Sequence, residues 1–372
     1  MVIIMKVMSV FGTRPEAIKM CPVVKELEKR ENIKSIVCLT GQHEEMLGQV
    51  MDIFSVKAQY NLHIMKVNQT LAMITSDILT EFDKILQNEK PDIVLVHGDT
   101  SSAFAGALAA FYRGIPVGHV EAGLRTYNIH SPFPEEYNRQ SIDMIADLCF
   151  APTELARQHL LYERKKSEKI FVTGNTVIDA LETTVSSKFH NEVLDWCDGY
   201  KMILLTAHRR ENIGKPMENI FKAVCQIIDE HPDVRVVYPI HKNPKVRIIA
   251  EQIFKGNDRI KIIEPLDVYE FHNFMAKSYF VMTDSGGIQE EAPALGKPVL
   301  VMRDTTERPE GVEAGTLRLV GTEIKSIFSE AHKLLVNYEE YSKMSKAVNP
   351  YGDGHASERI VDIIQKYFRG TK

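Results

Sequence analysis

Residues 279–302, YFVMTDSGGIQEEAPALGKPVLVM, contain the pattern that decides the fold. An apolar run ends in Asp-Ser-Gly-Gly, a polar segment follows, and a second apolar run, PVLVM, comes after it. Continuous apolar runs are typical of strands buried on both faces, and helices join such strands when the sheet is parallel. The stretch therefore predicts a strand–helix–strand unit of a parallel sheet.

Similar apolar runs recur along the 372 residues, separated by segments of helical period. In one such segment, Leu71, Ile74 and Ile78 share a helical face. The first series of runs is IIMKVMSVFG, SIVCLTG, DIVLVHGD, IPVGHVEAG and IFVTG; the second is MILLTAH, VRVVYPIH, IKIIEP, YFVMTDSG and PVLVM. We therefore predict an α/β chain of two Rossmann-like domains, with parallel sheets facing across a cleft. The predicted domains are residues 1–174 and 175–354, with the boundary at the Gly174-Asn175 turn or in the polar stretch Ser186 to Asp198, because the strand pattern restarts at Lys201.

Composition and charge exclude several classes of protein. The chain is 44% hydrophobic and 26% charged, which is typical of globular proteins large enough for two cores. A net charge of -5 provides no basic field for nucleic acid or an anionic membrane. The apolar start is interrupted by Lys6 and is too short to span a bilayer. The five cysteines lack a C-x-x-C pair, so we expect a reducing compartment, the cytoplasm.

The residues that end the apolar runs are the first candidates for a site. Ligands of open parallel sheets bind outside the carboxyl ends of the strands. Glycine, asparagine and serine would suffice for turning, yet carboxylate, imidazole and guanidinium groups recur here. These strand ends are Gly12 to Glu16, Gly41 to His43, His97 to Thr100, His119 to Gly123, His208 to Asn212, His241 to Lys242 and Asp284 to Gly287. We expect them to line a ligand cleft.

The turn at residues 284–287 carries the clearest signal for an anion. Ser-Gly-Gly at the start of a helix offers backbone N–H groups and a hydroxyl to phosphate oxygens. Glu290 and Glu291 follow, where a carboxylate can accept from ribose hydroxyls, so the pattern favours a nucleoside diphosphate. A plain glycine-rich turn with a capping Ser285 has the same pattern. Arg14, between a glycine turn and a proline, also lies where an anion site is expected.

Seven longer motifs carry a family resemblance. In chain order they are GTRPEAIK, HGDT, HVEAGLRT, SPFPEEYNR, AHRREN, DSGGIQEEAPALGKPVL and RDTTERPEG. Together they closely resemble the non-hydrolysing UDP-N-acetylglucosamine 2-epimerases, in register from Gly12 to Gly311. The resemblance implies the GT-B-type fold of two Rossmann-like domains, shared with many nucleotide-sugar glycosyltransferases, and a homodimer. It also implies that a helix within residues 355–372 packs back on the N-terminal domain.

The resemblance implies an isomerase reaction without metal or other cofactor. Members of this family interconvert UDP-N-acetylglucosamine and UDP-N-acetylmannosamine by inverting C2 of the sugar. A base removes the C2 proton while UDP leaves C1, which produces 2-acetamidoglucal; UDP then adds back after protonation from the opposite face. The activated product implies a role in cell-surface polysaccharide synthesis.

Positions in the family motifs assign the candidate residues. The implied catalytic residues are Asp99, Glu121, Glu135, Arg139 and His208. One of Asp99 and Glu121 takes the C2 proton, and the other, or Glu135, serves the opposite face. The implied substrate ligands are Arg14, Lys19, Arg209, Phe271, Ser285, Gly286, Gly287, Glu291 and Arg308. Of these, Glu291 is implied to bind the ribose and Phe271 to pack on the uracil.

The chain departs from its family at a second, activating nucleotide-sugar site that some members have. Residues matching that site are Gln42, Glu135, Arg209 and His241. However, Glu45 stands where an amide is expected and Asn68 where an arginine is expected. The loss of a cation at Asn68 and the gain of an acid at Glu45 both weaken the binding of a diphosphate. We therefore predict that dependence on an activating nucleotide sugar is weak or absent.

Other functions stay open at this stage. A metallohydrolase could use His97, Asp99, His119 and Glu121 as ligands. A nucleotide-sugar glycosyltransferase, or a nucleotide-sugar sensor, would share the fold and the diphosphate site but would not need three clustered acids. A hydrolysing epimerase that releases N-acetylmannosamine would differ only in capturing the intermediate with water.

Overall fold

The computed structural model describes residues 4–41, 44–66 and 68–370, with only the backbone described at 44–46 and 370. The chain divides into two compact units. Unit 1 contains the residues up to Thr183 and those from Tyr351 onward, and unit 2 is Thr184–Pro350. Each unit is built on a parallel sheet with helices, which confirms the predicted fold class. Among the described helices, none is long and apolar enough to cross a membrane.

Unit 1 contains, in its described part, a seven-stranded sheet in the order β3-β2-β1-β4-β5-β6-β7, and neighbouring strands run parallel. Its strands are β1 Met5–Phe11, β2 Ile33–Leu39, β3 Tyr60–Asn61, β4 Ile93–His97, β5 Val117–Val120, β6 Leu148–Ala151 and β7 Ile170–Val172. Its helices are α1 Arg14–Glu28, α2 Glu44–Ile53, α3 Leu71–Glu89, α4 Ser101–Tyr112, α5 Glu135–Ile145, α6 Glu154–Tyr162, α7 Thr176–Thr184 and, from the end of the chain, α16 Ala356–Gly370.

The centre of the first sheet is covered closely by α4, which begins directly after the His97 to Thr100 strand end. Its sequence, SSAFAGALAAFY, has alanine and glycine on the inner side. A Cβ added at Gly106 would lie 3.3 Å from Val10 and 3.6 Å from Val96, so the helix backbone approaches the strands to within van der Waals contact. This close packing fixes the position of the loop that carries Asp99.

Two helices set the limits of unit 1. The carboxylate of Asp179 in α7 accepts from the N–H groups of Ser357, at 2.6 Å, and Ala356, at 3.2 Å. These N–H groups begin α16 and have no acceptor within their own helix. Because α7 is held to α16 in this way, the unit boundary lies at the end of α7, beyond the predicted boundary at Gly174. α16 also packs against α1 of the same unit.

Unit 2 contains, over the residues described, a six-stranded parallel sheet in the order β10-β9-β8-β11-β12-β13. Its strands are β8 Lys201–Thr206, β9 Val234–Pro239, β10 Ile260–Ile263, β11 Phe280–Thr283, β12 Val299–Val301 and β13 Leu317–Leu319. Its helices are α8 Glu192–Trp196, α9 Lys215–Glu230, α10 Pro244–Phe254, α11 Val268–Lys277, α12 Ile288–Ala294, α13 Pro309–Glu313, α14 Ile324–Val336 and α15 Tyr338–Ser345.

In both sheets the strand order reverses once, between β1 and β4 in unit 1 and between β8 and β11 in unit 2. The connections from two such strands leave towards opposite faces, so a crevice opens at their carboxyl ends. Residues 12–16 and 98–100 follow the first pair of strands, with His97 as the last residue of β4, and residues 208–212 and 284–287 follow the second pair. Four of the polar strand ends predicted from the sequence therefore lie at the reversal points.

Candidate active site

Asp99 and Glu121 follow two adjacent strands of unit 1, β4 and β5. The guanidinium of Arg139 in α5 lies 2.6 Å from Oδ2 of Asp99. The ammonium group of Lys19 pairs with Oε1 of Glu121, and Nδ2 of Asn175 donates to the same oxygen at 3.0 Å. The structure thus brings together four of the predicted residues and supplies each carboxylate with a cation.

The carboxyl group of Asp99 has a raised pKa. Burial is the largest cause, and the nearby carboxylates of Glu121 and Glu135 raise it further, whereas Arg139 and Lys19 act in the opposite direction. Burial and like charges both disfavour the ionised form. A carboxyl group in this setting can hold a proton closer to neutral pH, which suits it to general acid catalysis.

Two adjacent acids at the start of α5 have different surroundings. Glu136 is fully buried, and its carboxylate accepts from the N–H groups of Thr126 and Tyr127, each at 3.0 Å. Burial opposes the ionisation of Glu136, but hydrogen bonds from Gln140 and these two N–H groups bring its pKa below the usual range. Glu135 is only partly buried, and its negative charge raises the pKa of Asp99. Glu136 therefore has a structural role, which leaves Glu135 for the site.

The two histidines considered as metal ligands also differ. Nε2 of buried His97 lies 3.7 Å from Oε2 of Glu121 and has no hydrogen-bond partner among the described residues. Burial lowers the pKa of His97 to about 3, so its ring is neutral. Both ring nitrogens of His119 are occupied, each at 2.7 Å, by Oδ1 of Asp143 and the carbonyl of Gly98. In the described part of the chain, no three His, Cys, Asp or Glu residues are grouped to hold a metal.

A carboxylate of the chain itself, that of Glu16, occupies the position predicted beside Arg14 for a bound anion. The carboxylate of Glu16 accepts from the N–H groups of Gly12, at 3.0 Å, and Thr13, at 2.7 Å. The hydroxyl of Thr100 also donates to it, at 2.6 Å. Thr13 and Glu16 form a capping box, whose T-x-x-E pattern is visible in the sequence. Arg14 itself is exposed beside this turn.

Asp284 organises the residues at the reversal point of unit 2. It is fully buried, and its carboxylate accepts from the N–H groups of His208 and Arg209, each at 2.9 Å, and from Nδ2 of Asn212, at 3.1 Å. A Cβ added at Gly286 would lie 3.6 Å from Nη2 of Arg209. Asp284 thus holds the segment after β8, and the Arg209 guanidinium lies against the Ser-Gly-Gly turn.

The turn itself is held by its neighbours. The N–H of Ser285 donates to Oγ1 of Thr283 at 2.9 Å, and the side-chain amide of Gln289 donates to the Ser285 carbonyl at 3.0 Å. Gly287, rather than Ser285, is the residue that precedes α12. The hydroxyl of Ser285 is therefore not needed to cap the helix.

Of the two acids behind this turn, only one faces it. Glu290 is buried and pairs with the guanidinium of Arg308. The positive charge of Arg308, a predicted phosphate ligand, is therefore neutralised within unit 2. Glu291 is partly exposed, and its Oε1 lies 3.4 Å from the position of a Cβ at Gly287. Phe271, in the first turn of α11, is half-buried.

His208 and His241 form a stacked pair, with ring centroids 5.3 Å apart and planes 14° from parallel. Burial lowers the pKa of His208, as do the nearby His241 and Arg209, whereas the carboxylate of Asp284 raises it. The His208 ring is thus favoured in its neutral form, in which one ring nitrogen can accept a proton.

Comparison with known proteins places the chain in a family. A family model for UDP-N-acetylglucosamine 2-epimerase matches residues 25–365. The chain belongs to this family. A UDP-N-acetylglucosamine 2-epimerase from Bacillus subtilis (strain 168) is 62% identical over 358 residues, which cover 96% of this chain and 94% of the relative.

Solved structures agree with this assignment. A crystal structure of UDP-N-acetylglucosamine 2-epimerase is 59% identical with a TM-score of 0.93, and the match covers 99% of this chain and 97% of that one. UDP-GlcNAc 2-epimerase from Neisseria meningitidis, solved with UDP-GlcNAc bound, is 49% identical with a TM-score of 0.87, covering 97% and 100%. The resemblance predicted from the motifs is therefore confirmed at the level of the UDP-N-acetylglucosamine 2-epimerase family.

The predicted regulatory residues are described only in part. Gln42 and the side chain of Glu45 lie outside the described residues. Asn68 is exposed and has a φ of 59°, a conformation that asparagine tolerates better than most residues. His241 is exposed, and its Nδ1 accepts from the N–H of Asn243 at 3.1 Å.

Sequence reasoning missed the side chains that hold the candidate residues in place. They are Glu16, Glu136, His272 and Asp284. The capping-box spacing could have identified Glu16. Nothing local distinguishes Glu136 from Glu135 or marks His272, whose Nε2 lies 3.4 Å from Oε2 of Glu291. The sequence pattern places Asp284 in the anion-binding turn, whereas in the structure its carboxylate binds the end of the neighbouring strand, β8.

Proposed function

We propose that the chain is a non-hydrolysing UDP-N-acetylglucosamine 2-epimerase, which interconverts UDP-N-acetylglucosamine and UDP-N-acetylmannosamine. The observation that carries the proposal is the pair of carboxylates at adjacent strand ends, Asp99 and Glu121, each beside its own cation. These groups occur in a chain that is 62% identical to a UDP-N-acetylglucosamine 2-epimerase. Two acid–base groups are what inversion of a carbon centre requires.

Inverting C2 is difficult because no carbonyl group lies beside it to acidify its proton. Elimination avoids the difficulty. A carboxylate takes the C2 proton, the electron pair of the C–H bond forms the C1–C2 double bond, and UDP leaves with the electron pair of the C1–O bond. Protonation of 2-acetamidoglucal at C2 from the opposite face, with return of UDP to C1, completes the epimerisation.

The surroundings of the acids suggest their roles. Glu121 is the base in one direction, because the Lys19 ammonium and the Asn175 amide stabilise its ionised form. Asp99, whose pKa is raised by burial, carries the proton for the opposite face. Their roles exchange when the reaction runs in reverse. Glu135 is available to stabilise the positive charge that develops at C1.

Residues of unit 2 hold the UDP moiety in this proposal. The backbone of residues 285–287 binds the diphosphate together with Arg209 and His208, since these side chains are held near the turn by Asp284. Glu291 binds the ribose and Phe271 packs on the uracil. Arg308 and Lys19 are weaker candidates for the diphosphate, because the first is paired with Glu290 and the second with Glu121.

Proton NMR of UDP-N-acetylglucosamine with the purified protein in deuterium oxide tests this function. We expect UDP-N-acetylmannosamine to accumulate with deuterium at C2, with no added metal or NAD. Free N-acetylmannosamine and UDP would indicate the hydrolysing reaction instead. Epimerisation without deuterium at C2 would reject the elimination route.

A further inference from the structure

Three side chains of unit 2 form a buried series that ends at Glu291. The hydroxyl of Thr184 lies 2.6 Å from Nδ1 of His272, and Nε2 of His272 lies 3.4 Å from Oε2 of Glu291. Thr184 is fully buried, the His272 side chain is 2% exposed, and that of Glu291 is 16% exposed. The series therefore runs from the interior to an acid that solvent can reach.

In the uncharged form of an imidazole ring, only one tautomer satisfies both contacts of His272. An ionised carboxylate can only accept, so Nε2 must carry the hydrogen that faces Glu291. Nδ1 then has a lone pair and accepts from the hydroxyl of Thr184. The opposite tautomer would set a nitrogen lone pair against the carboxylate oxygen, so Thr184 selects the form that supports Glu291.

The histidine is fixed by the residue beside it. Nδ2 of Asn273 donates to the carbonyls of Thr184 and Tyr269, each at 2.8 Å, and Oδ1 of Asn273 accepts from the N–H of Ser186 at 2.8 Å. Thr184 is thus held at its carbonyl as well as at its hydroxyl. Turning the His272 ring would break the Thr184 contact.

The two oxygens of Glu291 face different neighbours. Oε2 lies towards His272, whereas Oε1 lies 3.4 Å from the position of a Cβ at Gly287. A carboxylate accepts from both hydroxyls of a ribose only when its plane is correctly turned. A contact to one oxygen alone is enough to set that plane.

We propose that His272 is a positioning residue that orients Glu291 to accept from both ribose hydroxyls of a uridine nucleotide, and so makes the site prefer ribose to 2′-deoxyribose. The inference rests on the proposed function, because it takes Glu291 to be the ribose ligand. Thr184 contributes by holding the required tautomer.

Calorimetric titration with UDP and with 2′-deoxy-UDP tests this proposal. We expect wild type to bind UDP at least about tenfold more tightly, since one hydrogen bond to a charged acceptor is lost with the deoxy sugar. His272→Leu should reduce this ratio to within about threefold, mainly through weaker binding of UDP. His272→Gln, whose amide can still donate towards Glu291, should restore part of the ratio.

A matched control separates positioning from folding. His231 is another buried histidine of unit 2, and its Nε2 lies 3.0 Å from Nδ1 of His332 instead. His231→Leu should leave the ratio of the two affinities unchanged. If His272→Leu does not fold, Thr184→Val removes only the hydroxyl and should lower the ratio in the same direction by a smaller factor.

The outcomes distinguish the inference from the proposed function. If Glu291→Gln abolishes the preference for UDP but the His272 and Thr184 variants keep it, the inference is overturned and the ribose role of Glu291 stands. If wild type does not distinguish the two nucleotides, or Glu291→Gln keeps the distinction, the assigned role of Glu291 fails and the inference fails with it.

Discussion

Replacing Asp284 by asparagine tests whether one buried carboxylate holds the residues that follow β8. The substitution preserves the size of the side chain and removes its charge. Oδ2 accepts from the N–H groups of His208 and Arg209, each at 2.9 Å, and from the amide of Asn212 at 3.1 Å, while Oδ1 lies 3.1 Å from the same His208 nitrogen. These partners are all hydrogen-bond donors.

The structure sets the magnitude of the effect. An asparagine oxygen can replace Oδ2 and keep the contacts to His208, Arg209 and Asn212 without the charge. Its NH₂ group then faces the N–H of His208, so two donors confront each other in a fully buried position. Losing the charge on three hydrogen bonds and setting the new NH₂ group against a buried donor should cost about 2–4 kcal/mol of unfolding free energy.

The assay can be confined to unit 2. The only tryptophan of the chain, Trp196, belongs to that unit and lies beneath the charged groups of Arg235 and Lys261, 4.5 and 4.7 Å from its ring. Urea unfolding followed by tryptophan fluorescence therefore reports on this unit. We also expect kcat/KM for UDP-N-acetylglucosamine to fall by about ten- to a hundredfold, because uncharged and therefore weaker hydrogen bonds hold the segment from His208 to Asn212.

Asp233→Asn is the control for this experiment. Asp233 lies in the same unit, is half exposed, and pairs with Lys201 at 3.0 Å. An exposed pair of this kind contributes less than about 1 kcal/mol. If Asp284→Asn and Asp233→Asn changed the unfolding free energy and kcat/KM equally little, the assignment of Asp284 as the group that holds this segment would be wrong.

Three further predictions concern the acids, a buried histidine and regulation. Asp99→Asn and Glu121→Gln should each reduce turnover by about a thousandfold while leaving the affinity for UDP within about tenfold; rates near wild type would remove them from the mechanism. Burial lowers the pKa of His97 from 6.5 to about 3. As the pH falls, the imidazole of the unfolded chain is therefore protonated before that of the folded chain. The stability contributed by the neutral ring is present above pH 6.5 and is lost as the pH falls below it. His97→Asn should therefore reduce the dependence of the unfolding free energy on pH below pH 6.5, by up to about 1.4 kcal/mol per pH unit. Urea unfolding followed by circular dichroism at several pH values measures this dependence, and the same slope in wild type and variant would contradict the prediction. The family resemblance predicts that Asn68 and Glu45 depart from the activating site, so we expect the reaction from pure UDP-N-acetylmannosamine to begin without a lag; a lag removed by traces of UDP-N-acetylglucosamine would show a working activator site.

The sequence alone determined the fold class, the helical segment at α3 and ten of the strands, because continuous apolar runs and helical period are local properties of the chain. It did not reveal β3, β6 or β13: β3 has only two residues, β6 is separated from α5 by only two residues, and Arg318 interrupts the three residues of β13. Polar residues that end parallel strands share one edge of a sheet, so the sequence also predicted that Asp99 and Glu121 lie at one site.

Only the tertiary structure decided which groups are partners. Lys19 is 102 positions from Glu121, the acid with which it pairs. The family position of Glu291 predicts a ribose ligand, but nothing in the sequence indicates that His272 lies beside it. In the same way, only the structure shows that Glu16 occupies the anion position predicted beside Arg14. Ion pairing, burial and pKa depend on distances between side chains that are remote in sequence, and those distances exist only once the strands and helices have packed.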